Sequence, residues 1–229
     1  MEIGFDLIGD LNLTPEESFD WEGKVTSLYC LIAGNISDDL QVVKQTLEHL
    51  SNFYQGVFYV PGVLEYKTCS DHSTRTVELA SIIREIPNVV FLFQHVVIID
   101  GMALFGANGW SIDNFDDINV ELINSRIEDI TYMKKSVEKL QRHIDVKSIL
   151  VLTSCIPGKH LYFGKIPTHV EEHLFPESCL QLDSEMKVTH WAFGGSNTIT
   201  NTIYNDVTYT NNPYTKTQPY WPARISVEV

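Results

Sequence analysis

The sequence predicts an α/β fold built around a central sheet. Two features carry that prediction. Short runs dominated by Val, Ile, Leu and aromatic residues recur along the chain, and most stop at a Gly, Asn, Asp or Ser turn. Between the early runs lie segments whose apolar residues keep steps of three and four, so strand and helix alternate over residues 3–86.

Ile3–Ile8 is a first strand, closed by Gly9-Asp10. Leu28–Ala33 (LYCLIA) is apolar on both faces, as in a strand covered on both sides, and meets Gly34-Asn35. Asp38 or Asp39 is placed to cap the helix that carries Leu40, Val43, Leu47 and Leu50. Val57–Val60 is the next strand, stopped by Pro61-Gly62, with a polar turn expected after it. Ser73 is the expected cap of a second helix with Val77, Ala80, Ile83 and Ile86, ended by Pro87. Val89–Phe93, Val96–Ile99 and Met102–Phe105 are short strands, and Ile99-Asp100-Gly101-Met102 is a hairpin signal, so they are expected as an antiparallel edge of the sheet. Val120, Ile123, Ile127, Ile130, Met133, Val137 and Leu140 mark one long helix with a core-facing stripe. Ile149–Thr153 and Val188–Phe193 are two more buried strands, ending at Ser154 and at Gly194-Gly195. Arg224–Val229 alternates at the end of a tail rich in Tyr, Thr and Asn.

The 229 residues carry 44% hydrophobic and 20% charged residues, ordinary for a globular protein and enough for one domain over 1–229. The net charge is −14. Such a surface repels phosphate backbones, and no Lys/Arg cluster offsets it, so no nucleic-acid partner is expected. Cys30, Cys69, Cys155 and Cys179 lack zinc-knuckle spacing, and Cys30 and Cys155 sit in apolar runs. Without a basic, apolar leader or a membrane-length apolar run, a cytoplasmic chain and no membrane association are expected.

The strand ends of an α/β sheet converge on one rim, where sites are built. Here the words at those ends are LIGDLNL, CLIAGNISDD, VFYVPGVLEY, LVLTSCIP and HWAFGGSN. In order and frame they resemble the motifs of the calcineurin-like metallophosphoesterases over nearly the whole chain. ALFGANGW (Ala103–Trp110) and Thr210–Pro222, with Asn212-Pro213 and Tyr220-Trp221-Pro222, resemble two further segments of that family. The resemblance implies a two-sheet α/β sandwich flanked by helices. It also implies a site of two divalent metals, about 3.5–4 Å apart, that clamp phosphate and activate water.

At the positions that match the family's ligands, the chemistry has changed. Asp10 is kept. The next ligand position is Asn12, and the bridging position is Asn35. The Asn-His pair after Gly62 has become Val63 and Leu64, followed by a retained Glu65. A metal-binding His position is Ser154, and the two of the last motif are Gly195 and Asn197. Amide carbonyls are neutral, weak ligands, and Val63, Leu64 and Gly195 bring none. The resemblance therefore implies a degenerate member, with no metal cofactor expected and no catalytic residue assigned. It would act as a protein-binding or scaffold module. Two alternatives remain open: a weak phosphoesterase holding Mg²⁺, Mn²⁺ or Ca²⁺ through Asp10, Asn12, Asn35 and Asn197, or a small-molecule or nucleotide binder. The latter would use backbone amides at Gly34, Gly62, Gly194 and Gly195. Glu65 is read as a helix cap or a solvated turn rather than a catalytic acid, and Ser154 lacks a nucleophile elbow. His169 and His173, with Glu171 and Glu172 between them, have the spacing of a one-face metal pair, but an exposed polar face is the favoured reading.

Overall fold

The computed structural model describes residues 1–69, 71–109, 120–162, 176–180, 186–216 and 219–229. Two sheets carry the architecture. In the first, β1 (Glu2–Ile8), β2 (Tyr29–Ala33), β3 (Gly56–Val60) and β4 (Val89–Phe91) run parallel, and β11 (Ala223–Glu228) joins β1 antiparallel, in the order β11-β1-β2-β3-β4. The second has the order β5-β6-β7-β8-β10-β9, from β5 (His95–Ile99), β6 (Met102–Ala107), β7 (Ser148–Thr153), β8 (Val188–Phe193), β9 (Thr200–Tyr204) and β10 (Val207–Asn211). Its outer pairs, β5/β6 and β9/β10, are antiparallel, and the pairs between are parallel.

The double-faced apolar runs follow from the layering. Phe5, Leu7, Leu31, Ala33, Phe58 and Val60 face Met102, Leu104, Leu150, Leu152 and Ala192 between the sheets. The alternate residues Cys30, Ile32, Val57 and Tyr59 face α1 (Leu40–Ser51) and α3 (His72–Arg84). On the far side Phe105, Val151, Trp191 and Tyr209 meet Met133 and Val137 of α4 (Val120–Gln141). The layers are thus helix, sheet, sheet, helix. The sheets pack closely at Gly106, where an added Cβ would lie 2.4 Å from Val60 Cγ1. No helix among the described residues is long and apolar enough to cross a membrane.

Several local expectations are corrected. Asp39 caps α1 by accepting from the Gln41 amide, but α3 is capped by Asp71, which accepts from the Thr74 amide, and Ser73 lies inside the helix. The turn after Pro61-Gly62 is a helical turn, α2 (Val63–Tyr66). The three strands expected as one antiparallel edge are divided: β4 closes the first sheet in parallel, while the β5–β6 hairpin opens the second, with β6 inside it. The hairpin turn itself is as expected, with Asp100 and Gly101 both at positive φ. The tail holds an unanticipated hairpin, β9–β10, turned by Asn205 and Asp206 at φ 48° and 61°. His169, His173, Glu171, Glu172 and Trp110 lie outside the described residues.

Candidate functional site

β1, β2, β3, β7 and β8 all point their C-terminal ends at one rim, and the parallel register brings their turns together. Asp10 follows β1 at φ 52° and is almost fully buried. Its Oδ1 accepts from Asn35 Nδ2 at 2.7 Å, and both its oxygens accept from the Gly195 amide, at 3.1 and 2.9 Å. So the ends of β1, β2 and β8 are tied through one carboxylate. Asn35 also has positive φ, and its Oδ1 accepts from the Leu64 amide at 3.1 Å. Reversing that amide would set oxygen against oxygen at Asp10 and donor against donor at Leu64, so the neighbours fix its orientation.

Glu65 is the second anchor. It is fully buried, and it accepts from the amides of Asn35 (3.2 Å), Ile36 (2.6 Å) and Gly62 (2.7 Å). The carboxylate thereby caps the first turn of α2 and clamps the loop after β2 to the end of β3. It is a cap, as the sequence suggested, but no solvated one. Burial pushes it up to about 7, against the pull of those amides, and the Tyr59 hydroxyl lies beside it. Val63 is exposed, Leu64 is half-buried, and neither side chain carries a lone pair.

The remaining positions are less convergent. Ser154 is buried, and its single hydroxyl proton is directed at Asn108, between the backbone oxygen at 3.1 Å and Oδ1 at 3.2 Å. Asn12 folds back on its own loop, donating to the Asp10 carbonyl at 2.7 Å. Asn197 is exposed in the loop after β8. The expected row of open glycine amides is corrected: Gly62 donates to Glu65, Gly194 to the Thr153 carbonyl and Gly195 to Asp10. Gly34 and Gly62 are packed so closely that an added Cβ on Gly34 would lie 2.5 Å from Ser154 Cβ, and one on Gly62 2.2 Å from Asn35 Oδ1.

Three supports escaped the sequence reading. Tyr220 accepts from the Gly9 amide and donates to the Asn212 carbonyl at 2.6 Å, which locks the tail onto the end of β1. Its hydroxyl is pushed well up by burial. The closing Asn-Pro and Tyr-Trp-Pro words contained it without showing its contact. Asn108 and the buried Asp129 of α4 hold the end of β6: Asp129 accepts from the Gly109 amide and from Gln94 Nε2, both at 2.8 Å, and burial pushes it up to about 6. Nothing in a polar position of an amphipathic helix marks such a residue in advance.

A dinuclear centre needs several anionic or imidazole donors around a shared space. Here the rim offers one carboxylate, Asp10, at the positions that the motif resemblance matches to metal ligands, and its oxygens already accept hydrogen bonds. An N–H of Asn35 points where a bridging carboxylate would present a lone pair. Among the described residues, no three of His, Cys, Asp and Glu are grouped to hold a metal ion. The described residues do not fit the two-metal group.

No protein-family model matches the chain. An uncharacterized protein of Acanthamoeba polyphaga mimivirus is 23% identical over 147 residues, 56% of this chain and 51% of its own. The chain thus spans about half the length of the curated relative it matches. Among solved structures, the phosphopantetheinyl hydrolase of Mycobacterium tuberculosis superposes with a TM-score of 0.61 at 12% identity, over 98% of this chain and 96% of that one. A Staphylococcus aureus protein assigned as a 5′-nucleotidase, solved with alpha-ketoglutarate, superposes with a TM-score of 0.57 at 10% identity, over 100% of this chain and 51% of that one. The fold is that of the calcineurin-like phosphoesterases.

Proposed function

We propose that this chain is a catalytically inactive phosphoesterase-type protein that works by binding another protein. The observation that carries the reading is the state of Asp10. Its oxygens accept from Asn35 Nδ2 and the Gly195 amide, so the one retained ligand serves as a latch between strand ends. Leu64 stands at the position that the resemblance matches to the family's His, which would protonate the leaving group, and it cannot do so. Loss of even a neighbouring contact at a metal site costs about 10–100-fold in affinity or activity. Here the changes reach most of the ligand positions themselves. A net charge of −14 and exposed aromatic side chains at Tyr204 and Trp221 support a protein partner over a phosphate-rich one.

The test combines elemental analysis, melting with and without Mn²⁺, Zn²⁺ and Mg²⁺, and hydrolysis of an aryl phosphodiester. The expected result is no stoichiometric metal, no shift in Tm, and turnover equal to that of Asp10→Ala. Metal-dependent hydrolysis that disappears in Asp10→Ala would overturn the reading. A Mg²⁺ or Mn²⁺ shift without zinc response would instead favour an oxygen-ligand site.

A further inference from the structure

Each sheet has two edges, and they differ in how they are protected. β11 carries exposed Arg224 and Glu228, charges that discourage pairing. β4 has only three residues. β5 is mostly half-buried, with His95 and Ile98 exposed. β9 reads Thr-Asn-Thr-Ile-Tyr: it has no charge and no proline, and four of its five residues are exposed. Ile203 is 71% exposed, and Ile199 just before the strand is 69% exposed. Among the described residues, no strand pairs with the outer side of β9.

The turn geometry shows which backbone groups are free. A two-residue turn with both residues at positive φ makes Tyr204–Val207 the closing hydrogen-bonded pair. Alternation then directs Thr200, Thr202 and Tyr204 at β10. It leaves the N–H and C=O groups of Asn201 and Ile203 facing outward. Along this edge lies a groove of about 420 Å³, lined by His160, Leu161 and residues 199–204, with no Lys, Arg, Asp or Glu among the described residues of its wall. Its far wall is fixed. The His160 ring stacks on Tyr204 at 4.0 Å, Glu177 Oε2 lies 3.3 Å from His160 Nδ1, and Tyr209 donates to Glu177 Oε1 at 2.8 Å.

We propose that β9 and this groove form a docking site for an extended segment of a basic partner protein, which adds as a further strand to the second sheet. Backbone hydrogen bonds to Asn201 and Ile203 set its register, and alternate side chains enter the groove. An uncharged wall favours apolar residues there. The chain's charge of −14 disfavours a second copy of itself and attracts Lys/Arg-bearing flanks. The proposal rests on the protein-binding reading and gives it a surface.

The experiment uses a displayed library of random 12-residue peptides as the probe. Selected peptides are measured by fluorescence polarisation against the whole chain, Asn201→Pro and Ile203→Lys, and mapped by hydrogen exchange. Proline at Asn201 deletes an outward donor without taking a bond from β10, and edge strands tolerate it. Selected peptides are expected to be basic with alternating apolar residues. They should protect the Asn201 and Ile203 amides and bind each variant about tenfold more weakly, the scale of one lost hydrogen bond with its packing. Unchanged melting of Ile203→Lys separates lost docking from lost folding. No selected binder, or binders that protect other elements and ignore both variants, would overturn the site; the latter outcome leaves the protein-binding reading standing. Self-association abolished by Ile203→Lys would overturn it in favour of a second copy. Metal-dependent hydrolysis would remove the underlying reading without touching the peptide result.

Discussion

The Asn35 side chain donates to Asp10 through Nδ2 and accepts from the Leu64 amide through Oδ1, so each end of it has an assigned partner. Asn35→Asp would place a second carboxylate oxygen about 2.7 Å from Asp10 Oδ1, in the position Nδ2 now holds. Two carboxylates in contact cannot both ionise freely, and the proton the pair retains restores a donor. The variant is expected to lose about 1–3 kcal/mol at neutral pH and to recover part of it in acid, read by urea unfolding at pH 5 and pH 8. Glu65 gives a pH dependence of its own. Burial raises it from 4.5 to about 7, so between those values the folded protein holds a proton that the unfolded chain has released. Its contribution is therefore full in acid, below the unfolded value, and is lost as pH rises through about 7. Glu65→Gln should flatten that decline. It should also cost about 1–3 kcal/mol at pH 8, where Glu65 is ionised, because an amide NH₂ cannot accept from the amides that the carboxylate then serves. At this scale the sequence was partly legible. The positions of Asp10, Asn35 and Glu65 followed from short words with a fixed frame. Their partners did not: Asp10 meets Asn35 and Gly195, and Glu65 meets Asn35 and Ile36, all distant in sequence, and hydrogen-bond pairing leaves no periodic trace.

Helices and inner strands were legible because their periods are forced by what they bury. Cys30 and Ile32 face helices while Leu31 and Ala33 face the other sheet, and a run apolar on both faces is the direct result. That same property hides which sheet a strand joins, since β4 and β6 look alike in sequence and part company in space. The β9–β10 hairpin was missed for a local reason. Asn and Asp tolerate the left-handed region, so Asn205-Asp206 makes the turn without the glycine that usually announces it. Caps show the same limit, because several polar residues precede each helix and only one reaches the free amides. Asp39→Ala is expected to cost about 1 kcal/mol in thermal or urea unfolding, and Asp38→Ala to leave stability unchanged. For α3 the same comparison should show loss in Asp71→Ala and none in Ser73→Ala, since Asp71 makes the bond.

Over the whole molecule, the two sheets are held at a spacing that a single methyl group would disturb. An added Cβ at Gly106 would meet Val60 at 2.4 Å and Leu92 at 3.0 Å. Gly106→Ala is therefore expected to cost about 1–3 kcal/mol, seen as a lower Tm, while Val60→Ala in the same background should recover part of the loss. The layered architecture was legible through the resemblance of the strand-end words, and the sandwich bears it out. The pairing of β1 with β11 carries a kinetic consequence. Glu2 sits opposite Glu228 and Ile3 opposite Val227, so β1 gains its second neighbour only by closing a loop of almost the whole described chain. Entropy opposes that closure before any burial rewards it, and a sheet so wired has high contact order. Refolding from urea is expected to take milliseconds to seconds, with β1 open along one side until the final strand arrives. During that interval its bare edge is free to pair with another molecule, so recovery of native protein should fall steeply as the refolding concentration rises.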